Sequence, residues 1–145
     1  MRRDVRSLIR IASYIVRNYF RYAVNDDLAQ DVADRFSINP SFALVLIEAF
    51  SELRDSFSGK SGSWYIRAIV RMFFVKKVGR YAWVVEGIRE FGDYYPAYQV
   101  WLVNNRYHCS CHTTKFGYRR RKSICTHVAA VILSRKVSRK IGEYF

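Results

Sequence analysis

Residues 107–131 read YHCSCHTTKFGYRRRKSICTHVAAV, and this stretch contains every cysteine and histidine of the 145-residue chain. Cys109 and Cys111 form a first pair, and after thirteen further residues Cys125 and His127 form a second. Three thiolates and one imidazole are the four nitrogen and sulfur ligands that a tetrahedral zinc ion takes. The stretch therefore predicts a structural site with Zn2+ as its cofactor.

The spacing of these residues has a geometric meaning. In an extended segment residues i and i+2 point to the same side, so Cys109 and Cys111 can both turn towards one ion. Cys125 and His127 are predicted to lie at the start of a helix, where the helix dipole favours a thiolate. The intervening residues need only return the chain across the site.

Two further histidines, His108 and His112, lie beside the predicted ligands and compete with them in principle. We expect neither to bind the ion, because His108 should point to the opposite face of its strand from Cys109. The two i, i+2 pairs already supply four ligands. Four protein ligands leave no open position for water, so the sequence predicts no catalytic role for the metal.

Composition describes a folding chain with a strong positive charge. Half of the residues are hydrophobic and 17% are aromatic, which excludes a disordered tail. The formal net charge is +13 and the pI is about 10.0, which favours a polyanionic partner such as DNA. The alternative is a charge-rich surface whose lysines and arginines are simply solvated.

The sequence predicts an intracellular protein with no membrane partner, cytoplasmic in a prokaryote and with the nucleus as an alternative in a eukaryote. Arginines interrupt the first 24 residues, so they lack the apolar run of a signal peptide, and no stretch of about 20 apolar residues exists. In a reducing compartment, three clustered cysteines are typical of metal ligands rather than of disulfides.

The N-terminal part, residues 1–78, has the periodicity of helices. Arginines at spacings of four and seven mark one face of a first helix that extends to about residue 24. Asn25 and the following acidic pair predict the start of a second helix, and Asn39-Pro40 predicts the start of a third. The predicted helices after the first cover residues 25–36, 41–57 and 64–78.

From residue 79 the pattern changes from helical to alternating, which predicts strands over residues 81–86, 98–103 and 106–110. Asn104-Asn105 is the predicted turn of a hairpin, because asparagine tolerates positive φ. A last helix is predicted from residue 124 to 140, with Ser123 as its cap. The fold class is therefore α+β, with an N-terminal helical half followed by a ββα zinc-finger module with an extra strand.

The predicted domains are a helical region over residues 1–78 and a zinc-finger region over residues 79–145. The alternative is that both regions form one continuous compact domain.

Cys-x-Cys followed after a loop by Cys-x-His resembles the SWIM zinc-finger family. The matching residues are 107–111 and 125–131, within a resemblance that covers about residues 98–137. The resemblance implies a ββα zinc module with Cys109, Cys111, Cys125 and His127 as ligands. It also implies binding to DNA or proteins, as in recombination regulators that partner RecA-like ATPases.

Basic residues follow the first half of the motif and recur in the last helix. Those between the Cys-x-Cys and Cys-x-His pairs are interleaved with Phe116 and Tyr118. This composition is typical of a segment that contacts phosphates and stacks on bases. The alternatives are a solvated loop and, in the helix, charges that complement the helix dipole. The candidate nucleic-acid contacts are Lys115, Arg119, Arg120, Arg121, Lys122, Arg135, Lys136, Arg139 and Lys140.

Together these features predict a non-enzymatic zinc protein that binds DNA in recombination or repair. One alternative is a protein-interaction module that partners a RecA-like ATPase without touching DNA, and another is a transcription regulator. The helices around Asn39-Pro40 weakly resemble a helix-turn-helix. However, the second of them has no basic residue before Arg54 with which to contact DNA.

Overall fold

The computed structural model describes residues 4–113 and 124–144. Over these residues the chain folds as α+β, as predicted, with helices first and an antiparallel sheet after them. The helices are α1 (Val5–Asn18), α2 (Asn25–Phe36), α3 (Pro40–Ser56), α4 (Gly62–Met72) and α5 (Thr126–Tyr144). The strands are β1 (Val75–Gly79), β2 (Ala82–Glu86), β3 (Ala97–Val103) and β4 (Arg106–Cys109). None of the helices in these described ranges is long and apolar enough to cross a membrane.

Side-chain oxygens cap three of the described helices. Asp4 accepts a hydrogen bond from the Arg6 amide at α1, and Ser61 accepts one from the Trp64 amide at α4. Asn39 accepts from two amides at the start of α3, as predicted, with Pro40 in the first helical position. Asn25 is itself the first residue of α2 and not its cap, which is Val24. The first helix is also shorter than predicted, because Tyr19–Arg21 forms a separate 3-10 turn after Asn18.

The sheet has the strand order β1-β2-β3-β4, with every neighbouring pair antiparallel. Trp83, Val100 and Cys109 lie opposite one another across β2, β3 and β4 and so share one face. Asn104 and Asn105 join β3 to β4 with φ of 52° and 62°, which confirms the predicted asparagine turn. This hairpin carries Cys109 at the end of its second strand.

Strand β1 lies where the sequence predicted the end of a helix, so the helical prediction to residue 78 is wrong. Helix α4 ends at Met72, and the amides of Phe73 and Phe74 bond to carbonyls three residues back, which closes its last turn. The chain then extends because β2 offers backbone partners from Val85 to Ala82. The apolar run of α4 favoured a continued helix, and pairing with β2 overrode that local propensity.

Helix α5 contributes to two hydrophobic cores. Ala129, Leu133 and Val137 are buried with the four N-terminal helices, whereas Val128 and Val131 are buried against the sheet. The buried sheet residues on that side are Trp83, Val85, Tyr98, Val100 and Cys109. One helix therefore joins the helical half to the sheet, while the division into domains at residue 78 stays a prediction.

Gly87, just after β2, lies where a side chain has no room. A Cβ at this position would lie 2.0 Å from the Tyr95 carbonyl oxygen, and the Gly87 amide donates to the Pro96 carbonyl at 2.8 Å. We expect Gly87→Ala to lower the free energy of unfolding by roughly 1–3 kcal/mol, because the backbone must move apart. Chemical denaturation measures this, with Gly142→Ala as the control because nothing lies within 4 Å of its Cβ. Equal stability of the two variants would contradict the expectation.

Candidate metal centre

The first pair of sulfurs lies where β4 ends and the chain turns. Cys109 is the last residue of β4, and Ser110–Thr113 forms a 3-10 turn that contains Cys111. The Ser110 hydroxyl accepts a hydrogen bond from the Gln99 amide at 3.0 Å. This side chain takes the place of the next backbone hydrogen bond between β3 and β4. The two cysteines are therefore brought together by a turn and not by an extended segment, which corrects the predicted geometry. The Cys111 amide donates to the Cys109 sulfur at 3.4 Å.

The second pair lies at the start of α5, as predicted. Cys125 directly precedes the helix, and its sulfur accepts from the Val128 amide at 3.4 Å, so the thiol acts as the helix cap. The preceding residue, Ile124, has φ of 59°, an unusual conformation for a β-branched residue. The Trp64 indole nitrogen donates to the Ile124 carbonyl at 3.1 Å, so α4 fixes this turn. The predicted cap Ser123 lies outside the described residues.

The structure brings the four predicted ligands together. One ligand atom from each of Cys109, Cys111, Cys125 and His127 lies within 4.8 Å of the others. A tetrahedral site with zinc–sulfur bonds of about 2.3 Å places its sulfurs about 3.8 Å apart, so small side-chain rotations suffice to surround an ion. Every ligand is almost fully buried, at 9% exposure or less. This Cys3His cluster can hold a metal ion.

Cys109 and Cys125 have strongly perturbed acidities. The pKa of Cys109 is raised, because it faces the Cys111 and Cys125 sulfurs and is buried. The pKa of Cys125 is lowered by the neighbouring Cys109 and Cys111 thiols, and also by His112 and His127, against the effect of burial. Several buried thiolates cannot coexist without a compensating cation, and a metal ion supplies that charge.

The imidazole of His127 is enclosed on several sides. Its ring stacks on Tyr98 with centroids 4.0 Å apart, and its Nε2 lies 3.4 Å from Asp93 Oδ1. Burial alone would lower the pKa of His127, but Asp93 and the thiols of Cys111 and Cys125 raise it to about 10. Sequence analysis did not identify Asp93. Its only indication there was that it is one of two acidic residues in the strongly basic segment 93–145.

Asp93 is in turn bound by Arg71 of α4, also missed from the sequence. Both guanidinium Nη atoms donate to the carboxylate, one to each oxygen, and the Ile88 amide donates to it at 2.9 Å. Burial alone would raise the pKa of Asp93, but the neighbouring His127 and the hydrogen bonds from Arg71 and the Ile88 amide hold it well below its usual value. Arg71 is only 2% exposed. The one sign of its role in the sequence was a charged residue within the apolar run 68–74.

The other two histidines lie beside the cluster without joining it. His108 stacks on Trp101 of β3 with ring planes 13° apart, on the opposite face of the sheet from Cys109, as predicted. His112 Nδ1 accepts from the Cys109 amide at 3.3 Å, so its proton is on Nε2. That nitrogen is buried. The imidazole of His112 helps to lower the pKa of the Cys125 thiol, which gives His112 a supporting position.

The candidate nucleic-acid contacts fall into two groups. The loop candidates Lys115, Arg119, Arg120, Arg121 and Lys122 lie outside the described residues. Arg135, Lys136 and Arg139 line an open cleft of about 480 Å3 beside Tyr107 and Ile132. Lys140 does not join them, because its ammonium lies 3.1 Å from Glu52 and 3.8 Å from Glu48 of α3.

Arg135 is held in a defined position at the edge of the sheet. Its guanidinium donates to the Tyr107 hydroxyl at 2.6 Å and lies 5.2 Å from the centroid of the Trp83 ring. Lys77 of β1 lines the adjoining cleft of about 200 Å3 with Trp83 and Arg135. Basic side chains from a helix and a strand therefore face the same open surface.

Comparison of the chain with protein-family models, with curated proteins and with solved structures finds no match. The resemblance to the SWIM family therefore stays a prediction, and it rests on the Cys-x-Cys and Cys-x-His pairs.

Proposed function

We propose that this chain is a SWIM-type zinc protein that acts as a non-enzymatic DNA-binding factor in recombination or repair. The observation that carries the proposal is the arrangement of α5. Two of the four candidate ligands, Cys125 and His127, lie at the start of this helix, and its later turns present Arg135, Lys136 and Arg139 to open clefts. The metal then serves to hold a basic surface in place. The assignment to recombination or repair comes from the SWIM resemblance.

The donor set supports zinc as the metal. Soft thiolates select Zn2+, Cu+ or iron–sulfur clusters, whereas an imidazole beside three thiolates in a closed tetrahedron is typical of structural zinc. The ligands are buried and all four come from protein, so the expected role is structural. Elemental analysis is expected to give one zinc per chain.

Charge is distributed unevenly in a way that supports an anionic partner. Seven of the twelve acidic residues lie within residues 26–55, which form α2 and α3. Lys140 pairs with two of these acids, but the described clefts beside Arg135 and Arg139 have no acidic residue in their lining. The sheet edge and α5 therefore form a basic surface, and such surfaces bind phosphates with a steep salt dependence.

We expect Arg135→Ala combined with Arg139→Ala to weaken DNA binding and to flatten its salt dependence. Loss of two phosphate contacts should reduce the slope of log K against log salt by about 2 on duplex DNA. Fluorescence anisotropy with single- and double-stranded DNA at several salt concentrations measures both quantities.

The matched control is Arg6→Ala combined with Arg10→Ala, because these exposed arginines have the same i, i+4 spacing on α1. The control removes the same charge and should keep a slope close to that of the wild type. Equal slopes for the two double variants would show that binding depends on net charge alone. This result would contradict a DNA-binding role for the surface around Arg135 and Arg139. Arg119→Ala with Arg121→Ala tests the loop candidates in the same assay.

A second candidate function is a protein-interaction module that docks a RecA-like ATPase. One observation favours it: an open cleft of about 510 Å3 between α1, α4 and the turn Arg89–Phe91. Apolar side chains of Ile9, Val16, Ile66 and Phe91 line it together with Arg17 and Arg67. Zinc content without salt-dependent DNA binding would favour this function over the first.

A further inference from the structure

We propose that Asp93 is the positioning residue of the metal centre: its carboxylate accepts the Nε2 proton of His127 and directs Nδ1 to the ion. Arg71 of the helical half holds Asp93 in place. The inference rests on the metal site proposed above and goes beyond it, because it assigns the ligating nitrogen and two residues outside the motif.

The carboxylate of Asp93 is held in a defined orientation beside His127. Oδ1 lies 3.4 Å from His127 Nε2 and 3.1 Å from Arg71 Nη2, while Oδ2 receives Arg71 Nη1 and the Ile88 amide. A distance of 3.4 Å is slightly longer than an ordinary hydrogen bond, and binding of the ion is expected to shorten it. The carboxylate is thus fixed by Arg71 and Ile88, and His127 is its further polar contact among the described residues.

The position of the proton on His127 decides which ring nitrogen can bind a metal ion. Both ring nitrogens of His127 are buried and lack a conventional hydrogen bond within the part of the chain that the structure describes. Buried polar atoms are normally satisfied, so each nitrogen needs a partner. A neutral imidazole has one proton, and with Nε2 donating to Asp93 the free lone pair is on Nδ1. Nδ1 is therefore the atom available to a metal, and the stacked Tyr98 ring fixes its plane.

Arg71 connects this arrangement to the rest of the ligand segment. Its Nε donates to Thr126 Oγ1 at 2.9 Å, between the ligands Cys125 and His127 in sequence. One guanidinium therefore contacts both the Asp93 carboxylate beside His127 and the Thr126 hydroxyl, which lies between Cys125 and His127 in sequence. Partners of this kind orient metal-binding histidines, and their removal typically weakens metal binding by about 10–100-fold.

The test is a Co2+ titration of the full chain, followed by Zn2+ competition, for the wild type and for Asp93→Asn. We expect the variant to bind about 10–100-fold more weakly and to show altered cobalt ligand-field bands. The control is Asp31→Asn in α2, because Asp31 also accepts hydrogen bonds from three side chains, Tyr14, Tyr22 and Arg35. The control should bind cobalt as the wild type does.

A second measurement does not depend on a variant. Nitrogen-15 NMR of the zinc-bound wild type distinguishes the two imidazole nitrogens, and we expect a protonated Nε2 with Nδ1 bound to zinc. Zinc on Nε2 would overturn the proposal, as would an Asp93→Asn affinity within twofold of the wild type. A wild type that binds no cobalt or zinc would instead refute the metal site itself, so the two failures are distinguishable.

Discussion

Chelation of the metal is expected to unfold the β-sheet and the start of α5. Structural zinc sites supply folding free energy of the order of 10 kcal/mol, and here the four ligands join the end of β4 to the first turn of α5. Cys111→Ser and His127→Ala should have a similar effect, because each removes one ligand. Far-ultraviolet circular dichroism during thermal unfolding, with and without chelator, measures the change.

The control for the ligand variants is His108→Ala, because His108 stacks on Trp101 and lies outside the cluster. It should keep its metal and lose at most a small part of the stability that His127→Ala loses. An unchanged melting curve after exhaustive chelation would contradict a structural role for the metal. Acidification should also release the ion, because its thiolate and imidazole ligands must be deprotonated to bind it.

The second large effect is expected from Arg71→Met. Removal of one partner of a buried ion pair leaves the other charge uncompensated and typically costs about 3–5 kcal/mol. Here the uncompensated group would be Asp93, whose side chain is 7% exposed. The variant also loses the hydrogen bond to Thr126. Urea denaturation of the metal-bound protein gives the change in the free energy of unfolding.

Arg67→Met provides the comparison, because Arg67 lies on the same helix one turn earlier but is exposed. Its substitution should change the free energy of unfolding by less than about 1 kcal/mol. The double variant Arg71→Met with Asp93→Leu should recover part of the loss, since it removes both charges. Equal effects of Arg71→Met and Arg67→Met would show that the buried pair contributes little.

The parts of the molecule that local chemistry determines were predictable from the sequence. The Cys-x-Cys and Cys-x-His pairs identified the four clustered residues, and Asn104-Asn105 identified the hairpin turn. Asn39-Pro40 identified the start of α3, because a side-chain cap and a proline act within a few residues. Each of these signals is complete within a short segment of chain.

The elements and contacts that depend on pairing with another segment of the chain were not predictable. Strand β1 continues an apolar helical run and is an extended segment only because β2 pairs with it. Arg71 and Asp93 are 22 residues apart, and neither forms part of a motif. A charge within the apolar run of α4 indicated that Arg71 needs a buried partner, but not which acid supplies it.

The double packing of α5 has a consequence for how such a module can be exchanged between proteins. A self-contained finger can be cut out and joined to a new neighbour without loss. Here Val128 and Val131 face the sheet while Ala129 and Leu133 face the helical half, so residues 79–145 produced without the N-terminal helices would expose one side of α5. A transfer of the Cys3His cluster to another protein would therefore have to include the four N-terminal helices.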